Sequence, residues 1–147
     1  MKKIKAAVCH EFGTPLKIED ITLRAPEAGV NGIAVGDSVV VTLIRSCGTC
    51  PSCAGGAPTL CSTPYDGDHG PIKTADGGKL HQAMACGAFA EAVVVDQRQV
   101  VKIGEDIPKD CAALIACGVI TGVGAVVNAA GLRAGQDVVV IGAGGVG

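Results

Sequence analysis

Large aromatic side chains are almost missing from this chain, which has no tryptophan, one tyrosine and two phenylalanines in 147 residues. A core built on rings is therefore excluded. The apolar content of 48 % comes mostly from Val, Ala and Ile, and the branched members of that set suit β-strands. Charge is scarce too: 18 % of residues carry one, the net charge is −2, and no long run of Lys or Arg exists. That pattern lacks the electrostatic footprint of a nucleic-acid binder. No apolar stretch is expected to reach the ~18 residues of a membrane span. The opening MKKIKAAV has no apolar signal-peptide core after its lysines, which points to the cytoplasm. High apolar content with modest charge still says globular, and the length suits one domain of ordinary size.

What the chain has in excess is glycine, 22 residues of it, scattered at turns without a strict period. This predicts a turn-rich β-domain. Ile4–Val8 reads as a strand, Gly13-Thr14-Pro15 as a turn, and Leu16, Ile18, Ile21 and Leu23 as the apolar positions of a returning strand. Val39–Ile44 has no alternation, as in a strand buried on both faces. Residues 62–82 are polar and rich in Gly, Asp and Pro, which predicts a long surface loop. Strands are expected at Ala88–Val95 and Val100–Ile103. Pro108 should open a helix, Gly118 should break it, and a second helix, roughly Ile120–Ala130, should end at Gly131.

Four of the eight cysteines, Cys47, Cys50, Cys53 and Cys61, stand as C-x2-C-x2-C-x7-C. Thiolates this close along a turning chain can reach one tetrahedral ion, and Gly48, Pro51, Gly55 and Gly56 permit the turns. With every position filled by cysteine no site stays open to water, so a zinc held here is structural. Two alternatives use the same thiols: an iron–sulfur cluster, and a pair of disulfides, which a reducing compartment disfavours.

The chain closes on VVVIGAGGVG, a G-x-G-x-x-G run directly after an expected strand, Val138–Ile141. Its first glycine allows the tight turn, its second lets backbone approach a pyrophosphate, and its third permits close helix–strand packing. Gly142, Gly144 and Gly147 are those glycines, with Gly145 and Val146 between them. The helix and the ribose-binding acid about 20 positions further on lie past Gly147.

Together these segments resemble the zinc-dependent medium-chain alcohol dehydrogenases, the group that includes the class III enzymes. The matching pieces are KAAV, GVNGIAVGDSVVV, CGTCPSCAGGAPTLC, GAFAEAVVV with VVKI, ACGVITGVGAVVNAAG and VVVIGAGGVG, in the family's order. The resemblance implies a mainly β chain. Residues 1–106 would be an incomplete GroES-like barrel carrying the zinc lobe at 47–61. Residues 107–147 would supply two short helices and the first strand of a Rossmann domain.

The same resemblance makes Cys47, Cys50, Cys53 and Cys61 the structural zinc ligands, Cys117 a catalytic zinc ligand and Thr121 part of the nicotinamide pocket. It assigns Gly142, Gly144, Gly145, Val146 and Gly147 to the turn that binds NAD(H) or NADP(H). The implied reaction is hydride transfer between an alcohol or aldehyde and the nicotinamide, and subunits of the family commonly form homo-oligomers. One departure stands out: RAPEAGV runs straight into NGIAVGD, without the CHSD-like and GHE segments that bring the other catalytic ligands. Roughly 45 to 50 residues are expected to be absent near Gly29–Asn31, and a loss of that size should reach core strands.

The chain as it stands is therefore expected to be inactive. The alternatives are a non-catalytic zinc-binding GroES-like module and a degenerate fragment. Cys9 and His10 are expected to play no metal role, Cys9 behaving as a small buried hydrophobe. His69 and His81 are expected to be solvated, and Cys86 and Cys111 to pack in the core.

Overall fold

A computed structural model describes residues 1–147. Its best-formed part is an antiparallel pair, β1 (Lys2–Val8) and β2 (Lys17–Leu23), in which Ile4 faces Ile21 and Lys2 faces Leu23. Alternation along the strands puts Ile4, Ala6 and Val8 on one face with Ile21 and Leu23, and these five form the buried cluster. Ile18 belongs to the other parity, opposite Ala7, and is 68 % exposed; Leu16 lies before the strand and is also exposed. Neither takes the inward position expected from its apolarity.

A second sheet pairs β3 (Val39–Val41) with β5 (Val100–Lys102), again antiparallel. The strand is shorter than the apolar run 39–44 suggested, and it is not buried on both faces, since Val39, Leu43 and Ile44 are all partly exposed. Burial of a non-alternating strand needs cover on two sides, and here one side lacks it. The expected loop at 62–82 contains β4 (Ile72–Thr74), which pairs with β2 through Leu23 and Ile72. Three residues are too few to show a period of two. The expected strand 88–95 runs beside β1 but pairs only at Ala6–Ala90. There the Glu91 carboxylate accepts the Lys5 amide at 2.8 Å, in place of a ladder bond.

After α1 (Pro51–Ala54), the one long helix is α2, Lys109–Ala129. The two short helices expected here are a single element: the chain stays helical through Gly118, with π-type turns at Ile115–Val119 and Ala125–Ala129. Gly131 ends it at φ 64°, the left-handed cap that glycine adopts without strain. Contrary to expectation, α2 is long and apolar enough to cross a membrane by length and composition. The core helix of a soluble protein passes the same test, although such helices are mostly buried. Leu114, Val119, Ile120, Val123 and Val127 are exposed along it. The expected Rossmann strand, Val138–Ile141, is not a strand: it has no neighbour to bond with, and Ile141 is 96 % exposed.

The β part thus consists of two small antiparallel sheets, one of three strands and one of two, left open. The chain has a surface of 10431 Å², against about 6,900 Å² for a compact chain of this mass. Its backbone makes 54 internal hydrogen bonds, where about 100 would be usual. Both differences have one cause: strands and helix present faces and edges that nothing in the chain covers.

Two buried glutamines hold what is closed. Gln99 donates to the carbonyls of Thr42 and Ala85 and accepts the Asp96 amide, while Gln82 donates to Cys86 and Val94 and accepts the Tyr65 hydroxyl. Between them they anchor the bend at Met84 and Ala85, both at φ near 50°. Replacing Gln99 by Ala leaves its buried partners unpaired. We expect a loss of about 2–3 kcal/mol in urea unfolding.

Asp37 clamps the entry to β3: its carboxylate accepts the Ala34 amide at 2.7 Å and meets the Lys102 ammonium at 2.7 Å. The amide first, and then the ammonium, hold its pKa below the ordinary 3.8. A depressed carboxylate stabilises the fold above its ordinary pKa and loses that contribution as pH falls through the folded value. Asp37→Asn should therefore lower the urea midpoint near neutrality, with the two proteins converging in acid.

Candidate metal centre

The lobe at 47–61 is shaped by its own short-range geometry. Gly48, at φ 79°, turns the chain after Cys47, in a conformation that an L side chain resists. Cys50 is the N-cap of α1 with Pro51 in the first turn, so the chain bends there and carries Cys53 back toward Cys47. The turn Pro58–Leu60 then delivers Cys61.

All four sulfurs lie within 4.8 Å of one another. Cys47 and Cys53 are 3.9 Å apart, and Cys50 and Cys61 are 4.0 Å apart. A tetrahedron with metal–sulfur bonds of about 2.3 Å has edges of about 3.8 Å, so the donor set fits one zinc ion. The sulfurs stand at about twice the length of a disulfide bond, and all eight cysteines are free. A cluster of several irons would need its thiolates further apart than ligands of a common ion. The four sulfurs are therefore placed so that they could hold a single cation with no position left open.

Its electrostatics favour anions unevenly. The Cys47 thiol is drawn down to about 5 by the Thr63 hydroxyl and by the amides of Thr49 and Cys50. The Cys50 amide lies 3.2 Å from the Cys47 sulfur. Cys50 falls to about 7 through the amides of Cys53 and Ser62. Cys53 is pushed up to about 11, chiefly by desolvation, with the neighbouring sulfurs adding to it. Four thiolates cannot share this space unaided; a divalent cation is what would let all four ionise. The hydroxyls of Thr49 and Thr63 escaped sequence reasoning, although Thr49 sits inside the ligand spacing.

The other expected site residues do not converge. Cys117 is exposed on α2 and joins no group of three His, Cys, Asp or Glu ligands; only the four-cysteine lobe forms one. Thr121 is exposed on the same helix. The glycine-rich end packs on α2: a Cβ at Gly122 would lie 2.7 Å from the Val146 carbonyl, and one at Gly118 would strike that of Gly145. Between them opens a cleft of about 990 Å³, lined by Gly118, Gly122 and Val126 on one side and Val138, Gly144 and Gly145 on the other. Neither Cys117 nor Thr121 lines it. Of the remaining candidates, Cys9 is exposed rather than buried, with its thiol 3.6 Å from the Glu11 carbonyl, and His10 meets Glu19 at 2.7 Å. His69 is solvated and paired with Asp66. Cys111 is exposed and Cys86 only half-buried, so the expected core roles of both are corrected.

Comparison with known proteins brings three findings. The profile of the alcohol dehydrogenase GroES-like domain matches residues 21–105, more than half of the chain. Alcohol dehydrogenase B of Mycobacterium tuberculosis is 40 % identical over 126 residues, covering 81 % of this chain and 34 % of its own length. The NDMA-dependent alcohol dehydrogenase of Amycolatopsis methanolica is 32 % identical over 196 residues, covering 99 % of this chain and 53 % of its own. Among solved structures, an alcohol dehydrogenase zinc-binding domain protein from Burkholderia ambifaria superimposes with a TM-score of 0.80 at 24 % identity, over 90 % of this chain and 50 % of that one; this likeness concerns the fold. The chain spans between a third and about half of the length of these relatives.

Replacing any one of Cys47, Cys50, Cys53 or Cys61 by serine should release the metal, because three thiolates leave the tetrahedron open. Cys117→Ser should leave the metal content unchanged. Elemental analysis of the gel-filtered proteins measures both.

Proposed function

Because the chain belongs to the medium-chain, zinc-type alcohol dehydrogenase family, we propose that it derives from an oxidoreductase moving hydride between an alcohol or aldehyde and NAD(H) or NADP(H). The single observation that carries this reading is the four-sulfur tetrahedron at Cys47, Cys50, Cys53 and Cys61, in a chain that the GroES-like profile matches. Those four residues would hold a structural zinc. A second zinc would supply Lewis-acid polarisation of an alcohol oxygen and the nicotinamide would supply the hydride acceptor, and of the residues that would hold that zinc this chain offers Cys117.

On this reading Cys117 is a remnant ligand of that second site and Thr121 a remnant of the nicotinamide pocket. Gly142, Gly144, Gly145, Val146 and Gly147 would form the pyrophosphate turn. The division into a GroES-like part, 1–106, and the start of a dinucleotide-binding part, 107–147, belongs to the same proposal, as do a cytoplasmic location and pairing into a homo-oligomer. Neither nucleic acid nor membrane enters it.

The match to the Amycolatopsis enzyme runs over 196 positions, whereas this chain has 147 residues in all. A stretch of that relative thus lacks a counterpart here, in keeping with an internal loss near Gly29–Asn31. The isolation of Cys117 favours a second reading for the chain itself, a zinc-binding GroES-like module without catalysis. One ligand out of three specifies neither affinity nor geometry.

The 147-residue chain should therefore bind one zinc and show no NAD- or NADP-dependent oxidation of a primary alcohol. Turnover above the uncatalysed rate would overturn the inactive assignment. Two zincs per chain would mean that a second site exists, and none would remove the structural zinc.

A further inference from the structure

The four-thiolate centre carries an uncompensated charge. A divalent zinc with four thiolates bears a net charge of −2, and the lobe from Ser46 to Pro64 contains no charged residue to balance it. Compensation has to come from another part of the chain. Of the nearby cations, Arg45 is turned to the Tyr65 ring, with its guanidinium 5.7 Å from the ring centre.

Arg98 is different. A Cβ built on Gly48 would lie 2.6 Å from its Nη2, 2.7 Å from its Nε and 2.8 Å from its Cζ, so the guanidinium rests directly on the Cα of Gly48. Gly48 links Cys47 to the rest of the ligand loop, and its own amide works against the rise in the Cys53 pKa. One glycine therefore separates the cation from the sulfurs. The guanidinium makes no hydrogen bond, but its Nη1 pairs with the Asp96 carboxylate at 3.9 Å, the same carboxylate that Arg45 meets. Its backbone is nonetheless firmly held. Arg98 lies in the turn Gln97–Gln99, closed by a capping box between Asp96 and Gln99, and Gln99 is buried beside it.

We propose that Arg98 is a positioning residue of the metal centre, its guanidinium laid over Gly48 to offset the negative charge of the four-thiolate complex. The inference rests on the structural-zinc reading. It also gives Gly48 a second reason to be glycine, since a side chain there would displace the cation. Outer groups of this kind tune the affinity of metal sites without touching the metal.

The test is zinc and cobalt affinity, by competition with a chromophoric chelator, for the wild type, Arg98→Gln and Arg98→Lys at low and high salt. Arg98→Gln should weaken binding about three- to tenfold at low salt, and the gap should narrow at high salt as the charge is screened. Arg98→Lys, which keeps a charge, should retain most of the affinity, and cobalt absorption bands should stay unchanged because the sulfurs do not move. Equal affinity of Arg98→Gln and wild type would overturn the proposal. So would equal losses in both variants, or shifted cobalt bands with a salt-independent gap, since either would mean a packing role. A wild type that takes up no metal would instead refute the zinc reading itself, and this inference with it.

Discussion

The antiparallel pairing of β1 with β2 is the contact on which the closed part of this molecule depends. Seven residue pairs bring five apolar side chains to one face, and those five are the buried cluster. Everything else attaches to that unit at second hand. β4 adds to its edge, residues 88–95 lie along β1 without completing a ladder, and Gln82 ties that segment to the bend at 83–86. Gln99 then couples the same bend to the second sheet through Thr42. Since burial of apolar area is the main stabilising term in folding, a chain with one small cluster has little reserve.

The metal lobe escapes this shortage because it is local. Its four ligands fall within fifteen residues, its turns are set by Gly48, Pro51 and the short helix α1, and its amides point at its own sulfurs. A site of this kind needs little from the rest of the fold beyond a place to stand and, by our inference, one cation. The residues proposed for cofactor and catalysis are the reverse case. Cys117, Thr121 and the glycine turn would act only through partners on other elements, and the structure gathers no ligand group around Cys117.

Legibility followed the same division. The spacing of Cys47, Cys50, Cys53 and Cys61 was enough to anticipate that the four sulfurs come together, because chain connectivity itself limits where they can go. The hairpin of β1 and β2 was readable from alternation, although Ile18 went to the wrong face; parity, not apolarity, decides which way a strand residue points. Strand 72–74 was hidden by its brevity. Gly118 read as a break, but inside α2 its missing Cβ serves the approach of Gly145, and the helix passes through it. Val138–Ile141 has strand composition and no strand, since a ladder requires a neighbour and composition cannot provide one.

By itself the amino-acid sequence determined the four-cysteine cluster, the family resemblance that the profile match bears out, and the hairpin that holds the core. These depend on interactions between residues close in the chain, or on a pattern of period two. Only the tertiary structure decided that the two sheets stay open, that α2 is one uncovered helix, and that Arg98 lies on Gly48 across fifty residues of chain. Those outcomes turn on which surfaces meet, and no local pattern of residues encodes the absence of a partner.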